Sequence, residues 1–182
     1  MRERTRKLAL REWSGPNGGL DVARLPLESL FRQAMQRDSR QFRSACVLLG
    51  SLVGGGKREA GVFLLGLLAY CRDDMEKLPA VVDALGCFRS REAVQALVGE
   101  LQRIKPNNST RRYLDGVLSV LMRMPRELVK PRLAVLSRDP AFSLRWRRKF
   151  EDAVWSLSSP WEGDRSEVET EGSGLSERPP HW

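Results

Sequence analysis

An apolar quartet recurs every 36 residues along the chain, and this period strongly limits the folds open to it. Within each copy the spacing is i, i+3, i+4, i+7, which places four side chains on one face of an amphipathic helix. All sixteen positions are apolar: Phe42, Ala45, Cys46, Leu49; Leu78, Val81, Val82, Leu85; Leu114, Val117, Leu118, Leu121; and Phe150, Ala153, Val154, Leu157. The period therefore predicts four equivalent helices.

A second set of helices alternates with the first. Its apolar positions at helical spacing fall within residues 27–35, 60–68, 94–101 and 128–136. Three of these helices open with Arg58-Glu59, Arg91-Glu92 and Arg126-Glu127, which puts a carboxylate where the helix dipole favours it. A weaker copy of the quartet at residues 6–13 adds a first helix, for about nine in all. Sustained strand alternation is absent, so the predicted class is all-α.

A helix pair of this size cannot bury its apolar stripe alone, so we expect antiparallel pairs to stack into a short curved α-solenoid. Gly54-Gly55-Gly56, Ser90 and Pro125 mark turns or helix starts. We expect Pro79 and Pro131, which fall inside predicted helices, to kink or restart them.

One stretch of the chain resembles the HEAT repeat. Val82-Asp83-Ala84-Leu85-Gly86, followed by the segment 90–98, is similar to a HEAT first helix ending in Leu-Gly and a second helix opening near Arg-Ala-Val. Leu49-Gly50 with Arg58-Glu59-Ala60 is similar after a longer turn, whereas Met122 replaces the third Gly. The resemblance spans residues 39–157 and implies a right-handed α-solenoid of about four and a half helix pairs. The tetratricopeptide repeat, of similar length, ranks second because its small-residue pattern cannot be placed.

Charge is distributed unevenly along the chain. The net charge is +8, yet residues 105–157 carry twelve Lys and Arg against five Asp and Glu. Residues 158–182 carry six acidic and two basic residues and few aliphatic ones, so we expect a disordered acidic tail after a folded domain at 1–157.

The basic region supplies the candidate binding residues: Arg123, Arg126, Lys130, Arg132, Arg138, Arg145, Arg147, Arg148 and Lys149. Four of these cations interleave with Trp146 and Phe150, a composition suited to phosphate contacts and base stacking. However, Trp146 lies four residues before Phe150 on the apolar stripe, so we expect it in the core and the cations exposed to solvent.

No residue pattern predicts catalysis, a metal site or a cofactor. Gly54-Gly55-Gly56-Lys57 lacks the first glycine and the Ser or Thr of a phosphate-binding loop. Asp73, Asp74 and Glu76 lie where a helix begins, where carboxylates cap the helix. The chain has one histidine, His181, and the three cysteines do not have metal-ligand spacing. We therefore expect a protein that is not an enzyme.

The cysteines Cys46, Cys71 and Cys87 lie in or beside apolar runs, which predicts buried thiols in a cytoplasmic protein, with Cys71 the most reactive because it ends a helix. No apolar run is long enough to cross a bilayer, and no small-molecule substrate is indicated.

HEAT-like solenoids present extended surfaces to macromolecules. We therefore expect a scaffold or adaptor that binds a protein through the face of its second helices. The alternative is a HEAT-like protein that binds nucleic acid through its basic C-terminal surface.

Overall fold

The computed structural model describes residues 27–36 and 38–158. This part of the chain folds into eight α-helices and contains no strand, as the sequence predicts. The helices are α1 (Leu27–Ala34), α2 (Ser39–Gly54), α3 (Arg58–Tyr70), α4 (Leu78–Leu85), α5 (Arg91–Arg103), α6 (Arg111–Met122), α7 (Arg126–Leu136) and α8 (Leu144–Ser156). The additional helix expected at residues 6–13 lies outside the described residues.

The four apolar quartets lie on α2, α4, α6 and α8, one on every second helix. Thirteen of the sixteen side chains are buried, and Leu118, Val154 and Leu157 are half-buried. Leu157 follows α8 as its C-cap, because the helix ends at Ser156. The 36-residue period therefore identifies the core-facing side of every second helix.

The second set of helices begins where the sequence places it, at Arg58, Arg91 and Arg126. At the start of α5 the Ser90 hydroxyl accepts a hydrogen bond from the backbone N–H of Ala93 at 3.2 Å. The pKa of Glu92 is lowered by hydrogen bonds from its own backbone N–H and from the Ser90 side chain. The first turn of α5 is thus capped in the way that its sequence predicts.

Helices one repeat apart pack side by side, α2 against α4 and α4 against α6. A glycine lies at both contacts. A Cβ at Gly50 would lie 3.2 Å from the Ala84 Cα, and a Cβ at Gly86 would lie 3.1 Å from a Val120 methyl carbon. Residues 86 and 120 follow residues 50 and 84 by one full period, so equivalent positions are in contact twice, once through the Ala84 backbone and once through the Val120 side chain.

The third copy of this contact is missing. Met122 occupies the place of Gly50 and Gly86 in the repeat, and α6 and α8 do not pack as closely as the two preceding pairs. A methionine side chain is too large for the backbone approach that a glycine permits. α8 is instead held mainly by α7, its neighbour in the chain.

The prediction for Pro79 is wrong, and for Pro131 the structure excludes a restart of the helix. Pro79 lies in the first turn of α4, where a proline is tolerated because its missing N–H would have no helical partner. It therefore neither kinks nor restarts a helix. Pro131 lies inside α7, which runs from Arg126 to Leu136 without a restart.

The predicted burial is confirmed for Cys46 and Cys71 and is wrong for Cys87. The expectation that Cys71 is the most reactive thiol is also wrong, because its side chain is buried and burial raises its pKa. Cys46 and Cys71 are buried, whereas Cys87 is exposed. Cys87 lies in the turn after α4, and the next residue, Phe88, takes the inward position. The Phe88 ring lies over Gly61 of α3, where a Cβ would come within 2.7 Å of the ring carbons. The apolar run beside Cys87 thus failed to predict its burial, because the chain turns at Cys87 after the end of α4.

Candidate functional site

The nine cations predicted from the sequence come from four consecutive segments of the described chain. They are distributed over the α6–α7 turn, α7, the α7–α8 turn and α8. Seven are exposed, whereas Arg147 and Lys149 are half-buried. The prediction of solvent-exposed charge is therefore correct for seven of the nine and wrong for these two residues of α8.

Lys149 crosses the gap between α8 and α6. Its ammonium group pairs with the Asp115 carboxylate and lies 4.7 Å from the centre of the Trp146 ring. Arg111, on the first turn of α6, approaches the same carboxylate to 3.9 Å. Trp146 itself is 5% exposed, which confirms its core position and leaves no ring face for stacking. Asp115 therefore holds two cations at the junction of α6 and α8.

A groove of about 180 Å³ opens at this junction. Three cations line it: Arg111, Arg145 and Lys149. The other lining residues are Pro106, Asn107, Asn108, Ser143 and Trp146. Because the Asp115 carboxylate pairs with only two of the three cations, Arg111 and Lys149, the groove keeps an excess of positive charge. We call it the basic groove.

The wall of the basic groove is a turn held by its own hydrogen bonds. The Asn107 side-chain oxygen accepts bonds from the backbone N–H groups of Ser109 and Thr110, both at 2.9 Å. The Thr110 hydroxyl donates to the Lys105 carbonyl at 2.9 Å. This network fixes the α5–α6 turn before any ligand arrives, which lowers the entropy cost of binding there.

The opposite wall is the start of α8. Ser143 precedes the helix without forming a side-chain cap, and the N–H groups of Leu144 and Arg145 have no acceptor among the described residues. Unpaired N–H groups at a helix start carry partial positive charge. The backbone thus adds to the field of the three cations.

A second cavity, of about 300 Å³, lies on the other side of the same turn, between α4 and α6. Its lining is mainly apolar: Met75, Pro79, Val82, Tyr113, Gly116 and Val117. Ser109, Asp83 and Arg112 complete it. We call it the apolar cavity. Arg112, which forms no ion pair with another described residue, is next in sequence to Arg111 of the basic groove.

One wall of the apolar cavity is fixed by a buried polar network. The Tyr113 hydroxyl donates to the buried Glu100 carboxylate at 2.9 Å. Arg103 binds the same carboxylate with two bonds, of 2.9 and 2.7 Å. Burial, together with the Glu100 charge, raises the pKa of Tyr113 well above its usual value. The Tyr113 ring is therefore held in one position.

Only some of the nine predicted cations line either of the two cavities. Arg145 and Lys149 line the basic groove, whereas Arg123 approaches Asp83 to 3.7 Å on the exposed surface. Five others line neither cavity: Arg126, Lys130, Arg132, Arg138 and Arg148. Arg147 lines neither, and its Nε atom has no hydrogen-bond partner among the described residues.

Sequence reasoning missed Arg111, Arg112 and the apolar cavity. A usable signal existed for the first, because Asp115 is four residues after Arg111 and 34 residues before Lys149. A spacing close to the 36-residue period places two side chains next to each other on helices one repeat apart. The apolar cavity has no comparable signal, since it depends on how far α4 and α6 stand apart.

The glycine-rich and acidic segments that lack a predicted chemical role have structural roles. Gly54 ends α2, and Gly55 and Gly56 begin the turn to α3, where Gly56 has a positive φ of 90° that favours glycine. The Asp74 carboxylate accepts bonds from the N–H groups of Glu76 and Lys77, just before α4. Within residues 27–36 and 38–158, no group of three or more His, Cys, Asp or Glu side chains could hold a metal ion.

No helix in the described part of the chain has the length and apolarity needed to cross a bilayer. No protein-family model, curated protein or solved structure matches the chain.

Proposed function

We propose that this protein is a non-enzymatic scaffold or adaptor that binds a protein partner, built as a short right-handed HEAT-like α-solenoid. The observation that carries the proposal is the apolar cavity between α4 and α6. Open, mainly apolar cavities with a few polar groups are where proteins bind the anchoring side chains of their partners. Both α4 and α6 carry the repeat quartet, so the cavity is a product of stacking.

The repeated glycine contact supports the solenoid part of the proposal. Gly50 against Ala84 and Gly86 against Val120 are contacts between equivalent positions, separated by 36 residues. Stacked repeats make equivalent contacts with each neighbour, whereas a closed bundle has no reason to repeat them. The handedness and the HEAT family rest on the sequence resemblance.

The proposed binding surface differs from the one expected from the sequence. The sequence favoured the face of the second helices, whereas both cavities lie against α4, α6, α8 and the α5–α6 turn. Neither is lined by a residue of α5 or α7. We therefore place the partner on the side of the quartet-bearing helices.

The free thiols of all three cysteines support the proposed cytoplasmic location.

One observation favours a second function, nucleic-acid binding. Arg111, Arg145 and Lys149 share a groove, and arginine and lysine side chains are the usual phosphate ligands. Two features weigh against it: Asp115 lies between two of the cations, and Trp146 is buried. Binding to a phosphate backbone would also leave the apolar cavity without a role.

Photo-crosslinking in cells distinguishes the two functions. A photoreactive amino acid replaces Met75, which lines the apolar cavity and is 40% exposed. The matched control replaces Arg132, which is exposed and lines neither cavity. We expect an adduct at residue 75 that protease removes and nuclease does not, and no such adduct at residue 132. A nuclease-sensitive adduct at residue 75, or none, would contradict the proposal.

A further inference from the structure

The two cavities lie on opposite sides of one short segment. Asn107, Asn108 and Arg111 face the basic groove, whereas Ser109 and Arg112 face the apolar cavity. A chain that crosses the α5–α6 turn therefore meets an apolar site and a cationic site within a few residues of each other. The turn is fixed by hydrogen bonds from and to Asn107 and Thr110, so this arrangement exists before binding.

We propose that this pair of cavities binds an extended acidic peptide segment of a partner, with one large apolar side chain in the apolar cavity and flanking carboxylates on the basic groove and Arg112. This inference rests on the proposed scaffold function and names the chemistry of the partner. The volume of about 300 Å³ lies at the lower end of the range of ligand pockets, roughly 300 to 1,000 Å³, which suits one side chain.

Charge complementarity selects carboxylates for the cationic part. Arg145 is exposed and forms no ion pair with another described residue, and Arg112 is in the same state. Arginine binds carboxylates through two parallel hydrogen bonds, so each of these side chains has its full capacity available. The N–H groups at the start of α8 add a favourable field for an anion beside Arg145.

Two carboxylates of the protein argue against a continuous polyphosphate at the same place. Asp115 lies between Arg111 and Lys149, and Asp83 lines the apolar cavity close to the path of the ligand. A phosphodiester chain carries a charge at every nucleotide and would meet both. A peptide can place an uncharged residue opposite each of them.

The proposed role of the apolar cavity is tested by a substitution that fills the cavity without damaging the fold. Gly116 lines the apolar cavity, and a Cβ added there meets nothing within 4 Å. Gly116→Leu therefore fills the cavity and replaces a helical glycine by a better helix former. Gly99→Leu on α5 is the matched control, since it also meets nothing within 4 Å and lines neither cavity.

The proposed role of the basic groove is tested by reversing the charge of one of its residues. Arg145→Glu places a carboxylate in the basic groove. Arg132→Glu on α7 changes the net charge by the same amount at an exposed site outside both cavities. A loss of binding common to both variants would report a general charge effect, whereas a loss confined to Arg145→Glu would report a site.

The measurement is fluorescence anisotropy with a labelled synthetic peptide in which one Leu is flanked on both sides by Glu residues. We expect saturable binding to the full chain, weakened at least about tenfold by Gly116→Leu and by Arg145→Glu. The Gly99→Leu and Arg132→Glu variants should bind like the unmodified protein. Thermal unfolding of each variant verifies that it is folded, and Gly116→Leu should be no less stable than the unmodified protein.

Other outcomes overturn the inference. If the peptide binds equally to all variants, or does not bind, the paired cavities are not its site. If labelled duplex DNA binds instead and Arg145→Glu weakens it, the groove serves a polyanion and the scaffold proposal fails as well. If neither probe binds, the inference fails alone, because crosslinking from residue 75 tests the scaffold proposal independently.

Discussion

Gly50 of α2 and Ala84 of α4 approach so closely that a Cβ at residue 50 would lie 3.2 Å from the Ala84 Cα. Such a contact is tighter than almost all Cβ contacts in proteins, so in Gly50→Ala the Ala84 backbone has to give way by a few tenths of an ångström. We expect the variant to lose about 1 kcal/mol or more in the free energy of unfolding, measured by urea denaturation.

The matched control for this change is Gly66→Ala on α3. A Cβ at Gly66 meets nothing within 4 Å, and residue 66 is exposed on the helix. Replacing a helical glycine by alanine there should stabilise the protein by about 0.5 to 1 kcal/mol. If Gly50→Ala stabilises the protein as much as Gly66→Ala does, then the two helices do not touch at residue 50.

The quartet positions should be intolerant of charge. Leu85 is fully buried at the last quartet position of α4, so Leu85→Asp removes a large apolar group and buries an unpaired carboxylate. We expect a loss of several kcal/mol, about 3 or more, in chemical denaturation. Val47→Asp on α2, at a site that is 67% exposed, should change stability by less than about 1 kcal/mol. Comparable losses in the two variants would refute the burial pattern.

The buried polar network supplies a prediction at Tyr113. Tyr113→Phe removes the hydrogen bond to Glu100 and leaves that carboxylate with Arg103 alone. Hydrogen bonds to charged groups contribute about 1.5 to 3 kcal/mol, and we expect a loss of stability of that size. Tyr70→Phe is the control and should be neutral, because Tyr70 at the end of α3 is 69% exposed. A neutral Tyr113→Phe would mean that the Glu100 carboxylate finds another partner.

The three thiols should differ in reactivity and in their effect on alkaline stability. Cys87 is exposed and should react with a thiol reagent in the native protein, whereas Cys46 and Cys71 should react only after unfolding. Burial raises the pKa of Cys46 from 9.0 to about 12, with a smaller contribution from Cys71. Above pH 9 the unfolded chain releases this proton and the folded chain keeps it, so stability should fall as pH rises from 9 towards 12.

The variant Cys46→Ala isolates this contribution. Comparison of urea midpoints at pH 7.5 and pH 10 should show a smaller alkaline loss for Cys46→Ala than for the unmodified protein. Cys87→Ala, at the exposed thiol, should retain the full loss. An identical pH dependence in all three proteins would contradict the assigned burial of Cys46.

The acidic segment after α8 should compete with an acidic partner. Residues 158–182 have a net charge of −4 and are tethered directly to the basic region, so their effective concentration near it is high. Deleting them should raise the affinity for the labelled acidic peptide at low salt. Replacing Arg145, Arg147, Arg148 and Lys149 by Ala should abolish this gain. Screening acts within about 8 Å at physiological ionic strength, so the gain should shrink as salt rises. Equal affinity with and without the segment at low salt would show that it does not compete.

The sequence predicted the helix faces well because local periodicity determines which side chains share a face. The quartet beginning at Phe42 and the helix starts at Arg58, Arg91 and Arg126 needed no tertiary information. Cys87 was misplaced because a turn, not a helix, sets its direction. The pairing of Lys149 with Asp115 and the cavity beside Gly116 depend on the distances between helices, which single-residue patterns do not carry.

The proposed site exists only if helices one repeat apart lie side by side, and nuclear Overhauser contacts test this directly. We predict strong contacts from the Ala84 methyl group to the α-protons of Gly50, and from a Val120 methyl group to the α-protons of Gly86. Each pair is separated by 34 residues, so neither contact can arise within one helix pair. If both methyl groups show contacts only within their own helix pair, then the repeats do not stack and the account is wrong.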